Sequence, residues 1–211
     1  MTAAIAVVAA YLLGSIPFGY LAGLVRGVDI RTVGSRNVGA TNVFRTLGKP
    51  IGIAVMALDI GKGVVAVVIA RAISDDPWPL IAAGAAVLGH VYPVWLRFKG
   101  GKGVAVGCGV AIGLVPWVVL VLVPVWVLVI AVTRYVSLGS IIVAVAFTPM
   151  VWLFGYGWPT VVFAGIVSVA VVWRHRTNIV RLVHGEELRL DLGRRRGGSG
   201  TGTDVGGAPG R

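Results

Sequence analysis

The sequence predicts an all-α, polytopic membrane protein of seven transmembrane helices, with its N-terminus outside and its C-terminus in the cytoplasm. Three observations carry this reading. Of the 211 residues, 57% are hydrophobic and only 13% charged, where a soluble domain carries roughly a quarter charged residues. Apolar runs able to cross about 30 Å of hydrocarbon, about 20 residues each, recur along the chain. The basic residues lie almost wholly between those runs, in segments that a single topology gathers on one side.

The first run, Thr2 to Val25, has no basic residue before it and stays apolar throughout, which fits a spanning helix better than a cleaved leader. The second and third are Ile51 to Ile73 and Trp78 to Leu96. Val104 to Val132 is too long for one comfortable span and contains Pro116 and Pro124, so it reads as two spans turning near Leu114 to Trp117. Leu138 to Phe154 and Trp158 to Trp173 complete the seven. Span four, with only about a dozen residues, needs a locally thinned bilayer or an extension by its neighbours.

Charge placement decides the count. Arg26 to Lys49 holds five basic residues, the 97–103 loop three, Arg134 stands alone, and the stretch from Arg174 onward holds eight, together 17 of 19. With two spans in Val104 to Val132, all four segments are cytoplasmic, as the positive-inside rule asks; with one, the arginine-rich tail falls outside. The outer connections, Ala72 to Pro77, the turn at Pro116 and Gly155 to Pro159, are short and leave little room for an external domain.

Residues 1–192 are therefore expected to form the membrane domain, and 193–211, GRRRGGSGTGTDVGGAPGR, a disordered cytoplasmic tail. Its arginines can touch anionic lipid, at about 1 kcal/mol each. The net charge of +11 serves the membrane, and no nucleic-acid partner is expected. Cys108 is the single cysteine, so no intrachain disulfide can form.

Three polar segments share the expected cytoplasmic face. The first, GSRNVGATNVFR, brings Ser35, Asn37, Thr41, Asn42 and Arg45 together with Gly34 and Gly39. Hydroxyl, amide and guanidinium donors suit phosphate or carbonyl oxygens, although a helix cap and a solvated loop would use the same residues. The second, FKGGKG, sets Lys99 and Lys102 among Gly100, Gly101 and Gly103. Glycines can turn successive N–H groups into one anion-holding concavity, or simply permit a tight turn. Gly103 stands where a Walker A loop needs Ser or Thr, so a nucleotide is not indicated.

The third segment, RHRTNIVRLVHGEE, contains Arg174, His175, Asn178, Arg181, His184 and Glu186. Positions 174, 178 and 181 share a face if the helix is continuous, and a basic amphipathic surface helix is the alternative. Within the spans, Asp59 and Lys62 are placed to pair and fix how span two packs, and His90 is read as a hydrogen-bonded core histidine. There is no metal-ligand spacing of His, Cys, Asp and Glu, no GxSxG elbow and no HxxxxD pattern: five residues after His90, His175 and His184 stand Trp95, Val180 and Arg189.

GSRNVGATNVFR, GHVYPVWLRFKGGKGVA and RHRTNIVRLVHGEE resemble, in order and spacing, the three cytoplasmic motifs of the bacterial membrane-integral acyl-phosphate:glycerol-3-phosphate acyltransferases, and the likeness runs from Tyr11 to Glu187. Val106, where a hydroxyl residue is expected, and the long tail depart from it. The resemblance implies a multi-pass protein of the bacterial inner membrane. It would move a fatty acyl group from acyl phosphate to the 1-hydroxyl of sn-glycerol 3-phosphate, giving lysophosphatidic acid and phosphate, with no metal or cofactor. Its partners would be glycerol 3-phosphate, acyl phosphate and membrane lipids, with room for the enzyme that supplies acyl phosphate.

The same resemblance implies roles for particular residues. Gly100, Gly101, Lys102 and Gly103, with Lys99 beside them, would bind phosphate, while Ser35, Thr41, Asn42 and Arg45 would contact glycerol phosphate, Gly39 permitting the loop. For such a reaction, the chemistry of the residues themselves suits Ser35, Arg45 and Lys102 to aligning the substrates, the loop N–H groups and Lys102 to stabilising the developing charge, and Asn178 to orienting the hydroxyls. His175, Glu186 or a substrate phosphate oxygen would take the proton. A transporter using the basic loops as a gate, or a helical scaffold, are the alternatives that the polar segments weigh against.

Overall fold

The computed structural model describes residues 2–190; the expected tail at 193–211 lies outside the described residues. Among the described residues the chain forms ten α-helices, one short 3-10 turn and no strand. Helices α1 (Thr2–Ser15) and α2 (Phe18–Val25) are two halves of the first apolar run, broken where Pro17 has no N–H to continue the ladder. A short α3 (Ala40–Thr46) lies in the first polar segment, followed by α4 (Lys49–Ile73), α5 (Trp78–Val91) and the 3-10 turn Val94–Leu96. Then come α6 (Val104–Leu114), α7 (Pro116–Thr133), α8 (Val136–Leu153), α9 (Trp158–Arg174) and α10 (Arg176–Val183). Prolines sit in the first turns of α4, α5, α7 and α9, where their fixed φ suits a helix start and no donor is lost.

Five segments are long and apolar enough to cross a membrane: Thr2–Val25, Lys49–Ile73, Trp78–Leu96, Pro116–Thr133 and Val136–Leu153. A sixth is reached when α9 and α10, bent by 54° at His175, are counted as one. The turn expected between spans four and five stands at Val115. Helix α6 has 11 residues, about 16 Å at 1.5 Å per residue, and alone falls short of the hydrocarbon thickness.

Helix α1 packs on α5 and α4, α4 on α6, and α7, α8 and α9 form a second group. The seams are made of small residues. A Cβ on Gly14 would stand 2.1 Å from the Ala86 carbonyl oxygen and one on Gly89 2.2 Å from that of Tyr11, so α1 and α5 touch backbone to backbone. Between α4 and α6, a Cβ on Gly109 would meet the Ile60 oxygen at 2.0 Å and one on Gly63 the Val106 oxygen at 2.5 Å. Val106 itself is fully buried. Such close approach is how helices associate where lipid is as apolar as their side chains. Trp117, Leu120, Leu128 and Val132 on α7 are exposed, an outer face suited to lipid.

Gly109→Ala is expected to cost about 1–3 kcal/mol through overpacking, read as a lower melting temperature of the detergent-solubilised protein. Gly107→Ala, whose Cβ would meet nothing within 4 Å, is expected to leave stability unchanged or raise it by up to about 1 kcal/mol through helix propensity.

The connections divide by end. Residues 74–77, Val115 and 154–157 lie at one end, and the polar segments at the other. There the Arg45 Nη2 donates to the Leu188 oxygen at 2.7 Å, the Arg174 Nη2 to the Gly101 oxygen at 3.0 Å, and the Leu190 N–H to the Arg134 oxygen at 2.7 Å.

Candidate active site

A cavity of about 680 Å³ opens among α3, α4, α6, α7, α8 and α9. Its polar end is walled by Ser35, Thr41, Arg45, Lys102, His175, Asn178 and Glu187, and its remainder by apolar residues such as Leu122, Trp126, Val143 and Phe147.

One hydrogen-bonded unit organises the polar end. The Lys102 Nζ donates to the Asn178 Oδ1. The Asn178 Nδ2 donates to the Glu187 Oε1 at 2.7 Å, the Ser137 hydroxyl to the same oxygen at 2.8 Å, and the Arg181 Nε to Oε2 at 2.8 Å. Four cations, Arg45, Lys102, Arg174 and Arg181, act on this region against the one carboxylate of Glu187. The buried Nε atoms of Arg45 and Arg174 have no protein acceptor. Such an excess of desolvated donors and charge is suited to a phosphate.

The electrostatics follow. Burial, opposed by Glu187 and reinforced by Arg181, Arg45 and Arg174, lowers the Lys102 ammonium to about 8. Burial, opposed by Glu187, also holds the Arg45 guanidinium below its ordinary value. For Glu187, burial pushes upward, but the hydrogen bonds from Arg181, Asn178 and Ser137 outweigh it and hold the carboxyl below the usual glutamate range. His175 lies at the bend beyond the end of α9, buried, its Nδ1 2.7 Å from the Val171 carbonyl oxygen. Burial lowers its ring to about 4 against that bond. The ring is thus neutral near pH 7, with the hydrogen on Nδ1 and Nε2 left as an acceptor.

The structure brings several of the expected site residues to one cavity wall. Ser35, Gly39, Thr41, Arg45, Lys102, Gly103, His175 and Asn178 all line the cavity. Others are corrected. Glu186 is exposed, and its neighbour Glu187 is the carboxylate that turns inward; after Gly185, at φ +73, the chain reverses and only one of the two can face the cavity. Lys99 is exposed and off the cavity wall.

Gly100 and Gly101 do not form an N–H cradle. Their N–H groups donate to the Val91 and His90 carbonyl oxygens at 3.1 and 3.0 Å, and a Cβ on either would come within about 2 Å of His90 atoms. These glycines exist for close approach. The free amides at this point are those opening α6, which begins after Gly103 at φ +86; its N-terminal turn lines the cavity at Val104 and Ala105 and carries partial positive charge.

Asn42 is 1% exposed. Its Nδ2 donates to the Ile30 and Val33 oxygens and its Oδ1 accepts from the Ser35 N–H. It therefore shapes the loop that presents Ser35, with its amide used internally. The third segment is not one helix: the 54° bend lets Arg174 reach the glycine loop while Asn178 and Arg181 approach from α10. Glu187 and Ser137 are additions. Ser137, at the start of α8 beside the basic Arg134, is the only one with a readable signal, a hydroxyl where an apolar helix meets the polar end.

Among the described residues no group of three or more His, Cys, Asp or Glu could hold a metal ion.

The model of a family described as glycerol-3-phosphate acyltransferase matches residues 4–185. A protein of that name from Desulforamulus reducens is 43% identical over 192 residues, covering 90% of this chain and 96% of its own. One from Geobacter sulfurreducens is 47% identical over 182 residues, covering 86% and 94%. The fold is similar to the crystal structure of PlsY (YgiH), an integral membrane glycerol 3-phosphate acyltransferase, in its glycerol 3-phosphate form, with a TM-score of 0.87 and 42% identity over 90% of this chain and 96% of that one. Its lysophosphatidic acid form gives 0.84 and 41%. Three polar segments meeting at one end of an apolar bundle, and a match that runs through all of them, place this chain in the glycerol-3-phosphate acyltransferase family.

Proposed function

We propose that the protein transfers a fatty acyl group from acyl phosphate to the 1-hydroxyl of sn-glycerol 3-phosphate, releasing 1-acylglycerol 3-phosphate and phosphate. The observation that carries this reading is one continuous cavity with an excess of cations at its polar end and apolar walls beyond it. Such a site matches a substrate pair of which both are phosphates and one has a long chain. In the membrane, the chain crosses seven times, α6 as a short pass, with the polar end at the cytoplasmic face of the bacterial inner membrane, where glycerol 3-phosphate arrives from water. The basic residues of all three segments lie at that end, as the positive-inside rule asks.

In the reaction the 1-hydroxyl oxygen attacks the acyl carbon, an ester C–O bond forms and the C–O bond to phosphate breaks, its electron pair leaving with the phosphate. Arg45 and Lys102, with the first amides of α6, hold phosphate and the developing oxyanion in fixed positions, so that little reorganisation is needed. Ser35 and Thr41 complete the glycerol-phosphate wall. His175, neutral and with Nε2 as acceptor, orients the attacking hydroxyl. With a value near 4 it is a weaker base than a phosphate dianion, whose second pKa is about 6, so the hydroxyl proton passes to a phosphate oxygen. Glu187, saturated by three donors, sets Asn178 and Arg181 in place.

Incubation of the purified protein with glycerol 3-phosphate and palmitoyl phosphate is expected to release phosphate and 1-palmitoylglycerol 3-phosphate in equal amounts without added metal. Phosphate release with no acylated product would reduce the reading to hydrolysis, and neither product would reject it.

A further inference from the structure

Asp59 and Lys62 on α4 are 2% and 3% exposed, well inside a membrane-crossing helix. The Lys62 Nζ lies 2.8 Å from the Asp59 Oδ1. A buried ion pair is a poor source of stability, since apolar residues of similar size are often as good or better. What the pair touches accounts for it more directly. An ammonium has three donors, and Lys62 has three neighbours for them: Asp59, the Ile16 carbonyl oxygen at 2.8 Å in the break between α1 and α2, and the His90 Nδ1 at 3.2 Å. The same Nδ1 stands 3.7 Å from the Asp59 Oδ1, so one edge of the His90 ring sits against both members of the pair.

The far edge of that ring carries the glycine loop. A Cβ on Gly101 would stand 2.1 Å from the His90 Nε2 and 2.9 Å from both ring carbons beside it, so the Gly101 backbone lies directly on the imidazole. The His90 main chain also accepts the Gly101 N–H at 3.0 Å. From the other side the Arg174 Nη2 donates to the oxygens of Gly101 and Gly100, at 3.0 and 3.3 Å. The loop is thus clamped between His90 and Arg174. The next residue is Lys102, and the one after it opens α6. Asp59 and His90 both reach the cavity wall.

We infer that Asp59, Lys62 and His90 form a positioning unit that fixes the glycine loop from beneath, and with it Lys102 and the head of α6 at the phosphate end of the cavity. The inference rests on the acyl-transfer reading of that cavity only for its kinetic consequence. Displacement of a positioned group by about 1 Å can cost a hundredfold in rate, and only one peptide separates Gly101 from Lys102.

The test compares the full-length wild type with His90→Ala and with the charge-neutral pair Asp59→Asn/Lys62→Met, each confirmed as folded by size exclusion and thermal melting. Hydrogen exchange of the amides in 99–105 is expected to accelerate at least tenfold in both, with exchange in α8 unchanged, and the KM for glycerol 3-phosphate to rise at least tenfold with a smaller change in kcat. Gly101→Ala is expected to lose at least a hundredfold in kcat/KM, and Gly101→Ala/His90→Ala to exceed Gly101→Ala alone, because removal of the ring admits the new methyl. Folded variants with wild-type loop exchange would overturn the inference, as would losses that merely follow the folded fraction. An inactive wild type would reject the acyltransferase reading, while the exchange measurement still decides the positioning unit.

Discussion

Lys102→Met is expected to lower kcat/KM for glycerol 3-phosphate about 10²–10³-fold, the scale of losing one preorganised donor to a transition-state anion, while leaving a folded, membrane-inserted protein. Folding is retained because Lys102 is one of four cations crowded about Glu187, so its removal also relieves like-charge repulsion. The pH dependence makes the expectation sharper. Lys102 titrates at about 8, lowered chiefly by burial, so the charge it offers phosphate is lost as pH rises through about 8, and kcat/KM, which reports the free enzyme, should fall with it.

Stability should move the other way. A lysine whose folded value lies below its ordinary 10.5 binds its proton more tightly when unfolded, so the fold gains stability between about pH 8 and that value. Activity that falls while melting temperature holds or rises is a pattern that unfolding cannot produce. Lys102→Arg, which stays charged, should lack this alkaline limb, and an unchanged limb in that variant would assign it to another group.

Much of this arrangement is legible in the sequence, because hydropathy and charge placement act over whole segments. The runs Thr2 to Val25 and Trp78 to Leu96, and the turn at Val115, stand where those patterns put them. What escapes the sequence depends on tertiary partners. A glycine can present an N–H or permit close approach with the same composition, and only the carbonyl ends of α5 lying under the loop decide for the second at Gly100 and Gly101. Asn42 reads as a ligand donor until Ile30, Val33 and Ser35 are seen to use its amide. The bend at His175 has no Gly or Pro to announce it. The pairing of Asp59 with Lys62 is legible from their i, i+3 spacing; the connection of the pair to Gly101 through His90 is not.

Glu187 and Glu186 offer the clearest separation of neighbouring residues. Glu187→Ala is expected to destabilise the protein by about 2–4 kcal/mol, toward the lower side of the cost of breaking a buried pair because Arg181 is 36% exposed. Glu186→Gln, at an exposed position, should stay within about 0.5 kcal/mol and keep its activity. Glu187→Gln is the more informative change. The Glu187 Oε1 accepts from the Asn178 Nδ2 and so fixes which way that amide faces, its oxygen toward Lys102. A glutamine amide could instead donate to the Asn178 oxygen, turning the amide nitrogen toward the ammonium, where two donors face each other. Loss of kcat/KM by about 10–10²-fold in a protein that still folds would mark this orienting role. In wild type the stabilisation from Glu187 is present above the ordinary glutamate value of 4.5 and is lost as pH falls from there through its lowered folded value, because in that window the unfolded chain binds a proton that the folded carboxylate still refuses. An acid melting limb that is shallower in Glu187→Gln and unchanged in Glu186→Gln is therefore expected, and the reverse pattern would return the role to Glu186.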